Sequence, residues 1–429
     1  MRRATVLLGL AVGLTGCHRG GLPPRPDGAA VVVTTETSDD GVATGAEVEP
    51  NDTLAAAQRL AVTESTPAAV AGTLAMHGPK RDVDLFRVEL PAGDAGAVAT
   101  TDAGAPPPRV VLRADLRPVA GLSVSLDALD EAGHTVIATA GQPGEAIAIP
   151  NLAVRSGAVL LRVRAAGGEV PAATYRLAVR LAPFDNGAEI EPNGDAPHAT
   201  ELALGGEAVG YLGWHRDQDW YRVSTVGIAE GSVLSADLDP IVEVSATLQL
   251  IGTDGHKVSE ARGRKGERVT LRNLRLAPGD GPVWLVVRAE IGWSGAARYN
   301  LRPRAELAKA GTEAEPNDDV AHAQPIEDGT ALGYLPRGDI DVYRYSTPGM
   351  ALLDVEVTPP ARATVQVEVL REDGSLLARA ESDRHGPAHL GGTPIPGGPI
   401  FVRVTPRKGS GNADEPYRLA ISSRPPDGT

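Results

Sequence analysis

The residues best placed to do chemistry are carboxylates, and they recur. Glu47-Val48-Glu49-Pro50-Asn51-Asp52, Glu189-Ile190-Glu191-Pro192-Asn193-Gly194-Asp195 and Glu313-Ala314-Glu315-Pro316-Asn317-Asp318 repeat one signature. Further along each copy, an Asp-x-Asp pair precedes an aromatic residue: Asp82-Val83-Asp84-Leu85-Phe86, Asp217-Gln218-Asp219-Trp220-Tyr221 and Asp339-Ile340-Asp341-Val342-Tyr343. Alternate residues of an extended chain face the same side, so Glu47 can point with Glu49, and Asp82 with Asp84. Asn51 and Asp52 add two more oxygen donors. An all-oxygen set suits calcium, which takes six to eight oxygens at about 2.3–2.6 Å. Without a cation, clustered carboxylates repel and raise one another's pKa. A structural reading stands beside this one. Glu-Pro-Asn-Asp also makes a good turn and cap, and Asp-x-Asp carboxylates can accept backbone hydrogen bonds at a strand start.

Other chemistries find no support. The nine histidines are scattered and form no metal-ligating motif. The chain has no His-Glu-x-x-His and no Walker A loop. It also lacks a Gly-x-Ser-x-Gly elbow, since Gly292-Trp293-Ser294-Gly295 has the wrong spacing. Paired carboxylates could suggest a glycosidase, but their threefold recurrence fits a fold feature better than an active site, and no enzyme is expected. A net charge of −14 repels phosphate backbones, and no basic aromatic stripe offsets it, so nucleic acid is excluded as a partner.

The elements that must hold these acids are also repeated. Each copy has a Gly-x-Leu element at Gly72, Gly210 or Gly333, and a late apolar strand at Ala158–Val163, Pro282–Val287 or Pro399–Val404. Each closes on a Tyr-x-Leu strand at Tyr175, Tyr299 or Tyr417. The period is domain-sized, not solenoid-sized. Alternation in Gly121–Asp127, Ala246–Leu250 and Val365–Val369, with turns at Ala132-Gly133, Asp254-Gly255 and Asp373-Gly374, predicts antiparallel β-sandwiches. The 50 glycines and 35 prolines favour turns and short strands over long helices. Thr53–Leu60 is the chief helix candidate, and Ala92–Pro108 reads as a surface insertion. The boundaries follow: sandwiches at 47–183, 184–308 and 309–423, and a tail at 424–429.

All four tryptophans lie in the second copy. Trp220 aligns with Leu85 and Val342, and Trp284 with Leu160 and Phe401, so both are expected in the core. Trp214 and Trp293 have no apolar counterpart and sit near glycines in loops. Two readings stand for them: an exposed ligand patch, or packing under a loop.

The start of the chain has its own logic. Arg2 and Arg3 precede the apolar run Val6–Leu14, followed by Thr15-Gly16-Cys17. This pattern marks a secretory signal over residues 1–16, too short to span a bilayer. Leu14-Thr15-Gly16-Cys17 resembles the bacterial lipobox, which implies cleavage before Cys17 and lipidation of its thiol. Cys17 is the sole cysteine, so no intrachain disulfide forms. His18, where an aspartate would retain the protein at the inner membrane, permits passage to the outer membrane. Residues 17–46 read as the lipidated cysteine and a flexible tether, spanning on the order of 30 Å as a random coil.

The acidic signature, the Asp-x-Asp-x-aromatic element and the closing Tyr-x-Leu strand together resemble the bacterial pre-peptidase C-terminal domain family, in three tandem copies. The resemblance implies an all-β chain of three jelly-roll-like antiparallel β-sandwiches. Such domains often trail secreted peptidases, and relatives include calcium-dependent collagen-binding modules; here no peptidase precedes them. By this resemblance the calcium ligands would be Glu47, Glu49, Asn51, Asp52, Asp82 and Asp84 in the first copy. In the second they would be Glu189, Glu191, Asn193, Asp217 and Asp219, with Gly194 breaking the pattern and Asp195 as a substitute at altered spacing. In the third they would be Glu313, Glu315, Asn317, Asp318, Asp339 and Asp341.

The expected function is non-catalytic: an envelope lipoprotein that binds or scaffolds an extracytoplasmic protein or polysaccharide, as in adhesion. Two alternatives are a structural spacer stiffened by calcium at the domain junctions, and an accessory module of a secreted hydrolase system. The anchor has a direct check. Replacing Cys17 by serine should abolish metabolic lipid labelling, and labelling that persists would remove the lipoprotein reading.

Overall fold

A computed structural model describes residues 41–426, apart from 78–79, 90–109, 155–156, 169–170, 186, 277–280, 384–385 and 408–409. Cys17, the signal, most of the expected tether and the Ala92–Pro108 insertion lie outside the described residues.

The described chain is all-β, with six sheets arranged as three pairs. The second copy shows the plan. One sheet has the order Thr200–Glu201, Gln218–Val223, Val283–Ile291, Ser245–Ile251, Lys257–Arg262; the facing sheet has the order Ala208–Leu212, Ser294–Leu307, Ser232–Leu238, Val269–Arg275. The opening strand pairs in parallel with its neighbour, and every other pairing is antiparallel. Leaving out the short opening strand, the strands run first-eighth-third-sixth in one sheet and second-seventh-fourth-fifth in the other. That is the jelly-roll order.

The first copy repeats it with Ala68–His77, Ala172–Pro183, Val110–Leu116 and Ile147–Ala153 facing Gln58–Ala61, Val83–Glu89, Ala158–Gly168, Leu122–Leu129 and Thr135–Ile137. The third does so with Thr330–Leu335, Asn412–Arg424, Ala351–Thr358 and Ala388–Ile395 facing Gln324–Pro325, Asp341–Thr347, Gly398–Pro406, Val365–Leu370 and Leu376–Glu381.

Each pair of sheets encloses its own apolar core. Leu126, Leu161 and Tyr175 belong to the first, Leu248, Leu285 and Tyr299 to the second, and Val367, Val402 and Tyr417 to the third. The strands alternate as a two-layer sandwich requires: Tyr221 and Val223 point inward while Trp220 and Arg222 point away. The predicted turns at Gly133, Gly255 and Gly374 take φ of 88°, 78° and 79°.

Four expectations need correction. Thr53–Leu60 is not a helix: Thr53–Ala56 is a single turn and Gln58–Ala61 is a strand parallel to Val83–Glu89. Pairing and the burial of Leu60 override its alanine-rich propensity, and Gln58 ties the segment down by donating to Ala46 O and accepting from Val48 N. The tether ends earlier than position 46, because Thr44–Ala46 pairs with Ala69–Ala71 and Thr44 Oγ1 accepts from Arg176. The last strand reaches Arg424, into the expected tail. Trp220 and Trp284 are half-buried on the outer face of their sheet, not in the inter-sheet core. Their third-copy counterparts Val342 and Phe401 form a small cluster of their own with Leu370, partly covered by Val320 and Ala323.

Core packing sets a measurable scale. Leu248→Ala, at a side chain with no exposure, should cost roughly 2–5 kcal/mol in denaturant unfolding. A loss below about 1 kcal/mol would contradict a close-packed second core.

Candidate metal centres

Each acidic signature enters its sandwich through a cis Glu-Pro bond, at Glu49-Pro50, Glu191-Pro192 and Glu315-Pro316. The asparagine that follows is fully buried, and its carbonyl accepts the N–H of the residue after the Asp-x-Asp pair: Leu85 N from Asn51 O at 3.2 Å, Trp220 N from Asn193 O at 3.0 Å and Val342 N from Asn317 O at 2.9 Å. The two acidic motifs, distant in sequence, thereby meet at one edge of each sandwich.

Within the second copy, Tyr211 N donates to Glu189 Oε1 at 2.8 Å, and Asn193 N donates to Glu191 Oε2 at 3.0 Å. Asn193 Nδ2 reaches Glu189 Oε2 at 3.4 Å. Tyr299 Oη donates to Asp219, and the Tyr221 and Tyr299 hydroxyls lie 2.8 Å apart. The third copy repeats this: Tyr334 N to Glu313 Oε1 at 2.7 Å, Asn317 N to Glu315 Oε2 at 2.8 Å, and Tyr417 Oη to Asp341 Oδ2 at 2.8 Å, with Tyr343 2.6 Å from Tyr417. The first has Thr73 N to Glu47 Oε1 at 2.8 Å, Asn51 N to Glu49 Oε2 at 2.9 Å and Tyr175 Oη to Glu47 Oε2 at 3.1 Å. Phe86 replaces the second tyrosine there and meets Tyr175 edge-on.

Carboxylate oxygens of Glu189, Glu191 and Asp219 gather within 4.8 Å of one another, as do those of Glu313, Glu315 and Asp341, and those of Glu49, Asp52, Asp82 and Asp84. In the second and third copies only the second Asp of the pair joins the tight group, whereas in the first both Asp82 and Asp84 do. The leading Asp accepts a backbone N–H: Asp82 from Ala75, Asp217 from Gly213. Asp217 and Asp339 stand outside the tight groups of their copies, although both are buried or lie beside them. Asp195 does not substitute for the missing aspartate. It caps a turn over Ala196–His198 through His198 N, the role Asp319 plays with His322. Gly194 thus occupies the place of the exposed Asp318.

The sequence reading missed why Gly-x-Leu recurs. A Cβ on Gly210 would stand 2.3 Å from Tyr299 Oη and 2.6 Å from Glu189 Oε2; on Gly333, 2.4 Å from Tyr417 Oη and 2.3 Å from Glu313 Oε2. Glycine leaves the space in which carboxylate and phenol meet.

The electrostatics are severe. Burial holds Glu189, Glu191 and Asp217 well above the ordinary carboxylate range, with neighbouring carboxylates adding to the rise. Burial likewise lifts Asp219 to about 7. Glu313, Asp339 and Asp341 are raised for the same reasons, and Glu315 reaches about 7. In the first copy burial takes Asp84 to about 7. Several buried oxygens have no hydrogen-bond partner, among them Glu191 Oε1, Asn193 Oδ1, Asp219 Oδ1, Glu315 Oε1, Asn317 Oδ1 and Asp341 Oδ1. Orphaned buried acceptors beside like charges are costly. An oxygen-coordinated metal ion would satisfy both the lone pairs and the charge, and these clusters could hold one.

Trp214 and Trp293 are not an open patch. Trp214 packs against the first core, and Trp293 Nε1 donates to Ala146 O at 2.7 Å while its ring lies 5.4 Å from that of His215. They pin the second sandwich to the first.

No family model and no curated protein matches the chain. Among solved structures, a β-glucuronidase from Ruminococcus gnavus with N1-substituted uronic isofagomine is similar at 13% identity, over 49% of this chain and 36% of that one, with a TM-score of 0.15. An FMN-binding β-glucuronidase from Facaelibacterium prausnitzii L2-6 gives 11% identity over 48% and 32%, with a TM-score of 0.14. A mutant oxalate decarboxylase from Bacillus subtilis gives 12% over 45% and 66%, with a TM-score of 0.09. The chain spans about a third of the length of these glucuronidases. Overlaps so slight bear on neither fold nor activity.

The raised carboxyls fix a pH dependence. They hold protons in the folded state that the unfolded chain has lost, so their contribution is full at low pH and is lost as pH rises. In chelator, the melting temperature should drop as pH climbs from the ordinary values of 3.8–4.5 through about 7. Melting curves from pH 5 to pH 8 would show it, and a cation-free protein that is more stable at pH 8 would contradict it.

Proposed function

We propose that this chain is a non-catalytic, lipid-anchored envelope protein whose three sandwiches are set in fixed succession by calcium bound at their acidic openings. In this role it spaces or scaffolds an extracytoplasmic protein or polysaccharide. One observation carries the reading: in the second and third copies the buried acid cluster lies where the sandwich joins its predecessor. Glu191 N donates to Asn151 O at 3.0 Å and Glu191 O accepts from Ala153 N at 2.9 Å. Glu315 N donates to Asn273 O at 2.9 Å and Glu315 O accepts from Arg275 N at 2.8 Å. The same glutamates supply carboxylates to the clusters. A cation held there would fix the residue that spans the joint.

Calcium is favoured over other metals by donor chemistry. The clusters offer carboxylate and amide oxygens, with no cysteine or histidine in the groups. The resemblance to the pre-peptidase C-terminal domain family supports the same ion. Partner contacts reinforce each joint. Arg113 lies over the Tyr211 ring and Arg272 over the Tyr334 ring, each at 5.9 Å, and Arg337 pairs with Glu267 at 3.2 Å. The lipid anchor, outer-membrane location and scaffolding role belong to the proposal through Cys17 and the repeated modules.

Titration calorimetry of the full chain with calcium should give heat and a rise in melting temperature, and Asp219→Asn with Asp341→Asn should remove most of both. Small-angle scattering should show a narrower range of inter-sandwich distances with calcium than with chelator. No heat and no melting shift at millimolar calcium would end the calcium reading.

A further inference from the structure

The three openings share one motif but differ in what covers them. In the second copy Glu189, Glu191, Asn193, Asp217 and Asp219 are all buried. In the first, Asn51 and Asp84 are buried but Glu49 and Asp52 are exposed, and among the described residues no sandwich precedes them. The third lies between: Glu313, Glu315 and Asp341 are buried, yet a cleft of about 260 Å³ lined by Arg272, Arg337, Glu313, Glu315 and Asp339 runs beside them.

The cover in the second and third copies comes from one device in the preceding sandwich. Its edge strand is bulged at a left-handed residue, Asn151 with φ 38° or Asn273 with φ 50°, whose carbonyl faces the next opening. Two residues on, Ala153 or Arg275 returns an N–H to the same glutamate. The third sandwich has the same bulge at Gly392, φ 62°. Register places Ala153 opposite Val111, Arg275 opposite Val233 and Pro394 opposite Leu352. At this edge, which faces no further sandwich among the described residues, the returning N–H is replaced by proline, which has none. The fold thus contains its own example of this strand without the joining bond.

We propose that the three acid clusters are inequivalent cation sites: the first exchanges its ion freely with solvent, while the second is locked by the Asn151–Ala153 bulge and releases its ion only when that joint opens. The third, locked by Asn273–Arg275 but flanked by the cleft, exchanges at an intermediate rate. This rests on the cation reading above. Its consequence is a division of labour, with a permanent ion setting the first joint and a responsive one at the opening nearest the anchor.

The test loads the full chain with terbium(III), an oxygen-seeking calcium substitute sensitised by the nearby tyrosines, and mixes it rapidly with excess chelator. Asp84→Asn, with Asp82→Asn as a second variant, should delete the fastest phase; Asp219→Asn should delete the slowest. Ala153→Pro copies the residue found at Pro394, the register-equivalent position of the third sandwich, and circular dichroism of the variant checks that the fold is kept. This substitution should speed the slowest phase at least tenfold and leave the fastest unchanged. Arg275→Pro should speed the intermediate phase beyond any effect of Arg275→Ala. One common rate for all three sites, or a slowest phase indifferent to Ala153→Pro, would overturn the inequivalence while leaving cation binding intact. Failure of any site to take up terbium or calcium would instead overturn the reading beneath it.

Discussion

Burying carboxylates together is the constraint around which each module is organised. Glu189, Glu191, Asp217 and Asp219 are removed from water with no cationic side chain among the causes that shift them. Isolated buried charges cost several kcal/mol each even after relaxation. Part of that cost is met by backbone N–H groups of Tyr211, Asn193 and Gly213 and by the Tyr299 hydroxyl. The remainder is left on oxygens with no partner.

The joint and the cluster share atoms, and this ties their energetics. Glu191 bonds through its backbone to Asn151 and Ala153, and through its side chain joins Glu189 and Asp219. Any change in the charge state of the carboxylate acts on a residue whose main chain is fastened to another sandwich. Protons and cations are then alternatives at the same place: one neutralises by binding to an oxygen, the other by gathering several. Tyr211 N and Asn193 N bond Glu189 Oε1 and Glu191 Oε2, so the unpartnered Glu191 Oε1, Asn193 Oδ1 and Asp219 Oδ1 are not the atoms that hold the amide network.

Much of this was legible in the sequence. The turns at Gly255 and Gly374 stand as expected, and Ala246, Leu248 and Leu250 face the core as the alternation predicts, although the opposite face is not solvated, since Thr247 is buried too. The convergence of the two acidic motifs was implied by the family resemblance. What could not be read was direction. Asp217 and Asp219 occupy alternate positions, yet one answers Gly213 and the other the cluster, which depends on where the neighbouring strand ends. Trp214 and Trp293 look like loop residues until the first sandwich is placed against them. The helix expected at Thr53–Leu60 failed because alanine content describes an isolated segment, whereas Leu60 answers to a core.

Tandem copies of one fold ordinarily drift apart, and the pattern of drift here is ordered by neighbourhood. Tyr221 and Tyr343 pair their hydroxyls with Tyr299 and Tyr417 in the covered clusters, while Phe86, itself buried, packs edge-on against Tyr175 in the first. Tyr211 and Tyr334 meet an arginine across a joint, while Thr73, at the opening with no joint among the described residues, has a small side chain instead. Pro394 replaces Ala153 and Arg275 at the edge with no described successor, where an unpaired N–H would invite association with another chain. The threonine at position 73 and the proline at position 394 each lack a feature that a joint uses. The first opening and the last edge therefore lack what makes two sandwiches cohere, and the chemistry of each acid cluster follows from whether a neighbour closes over it.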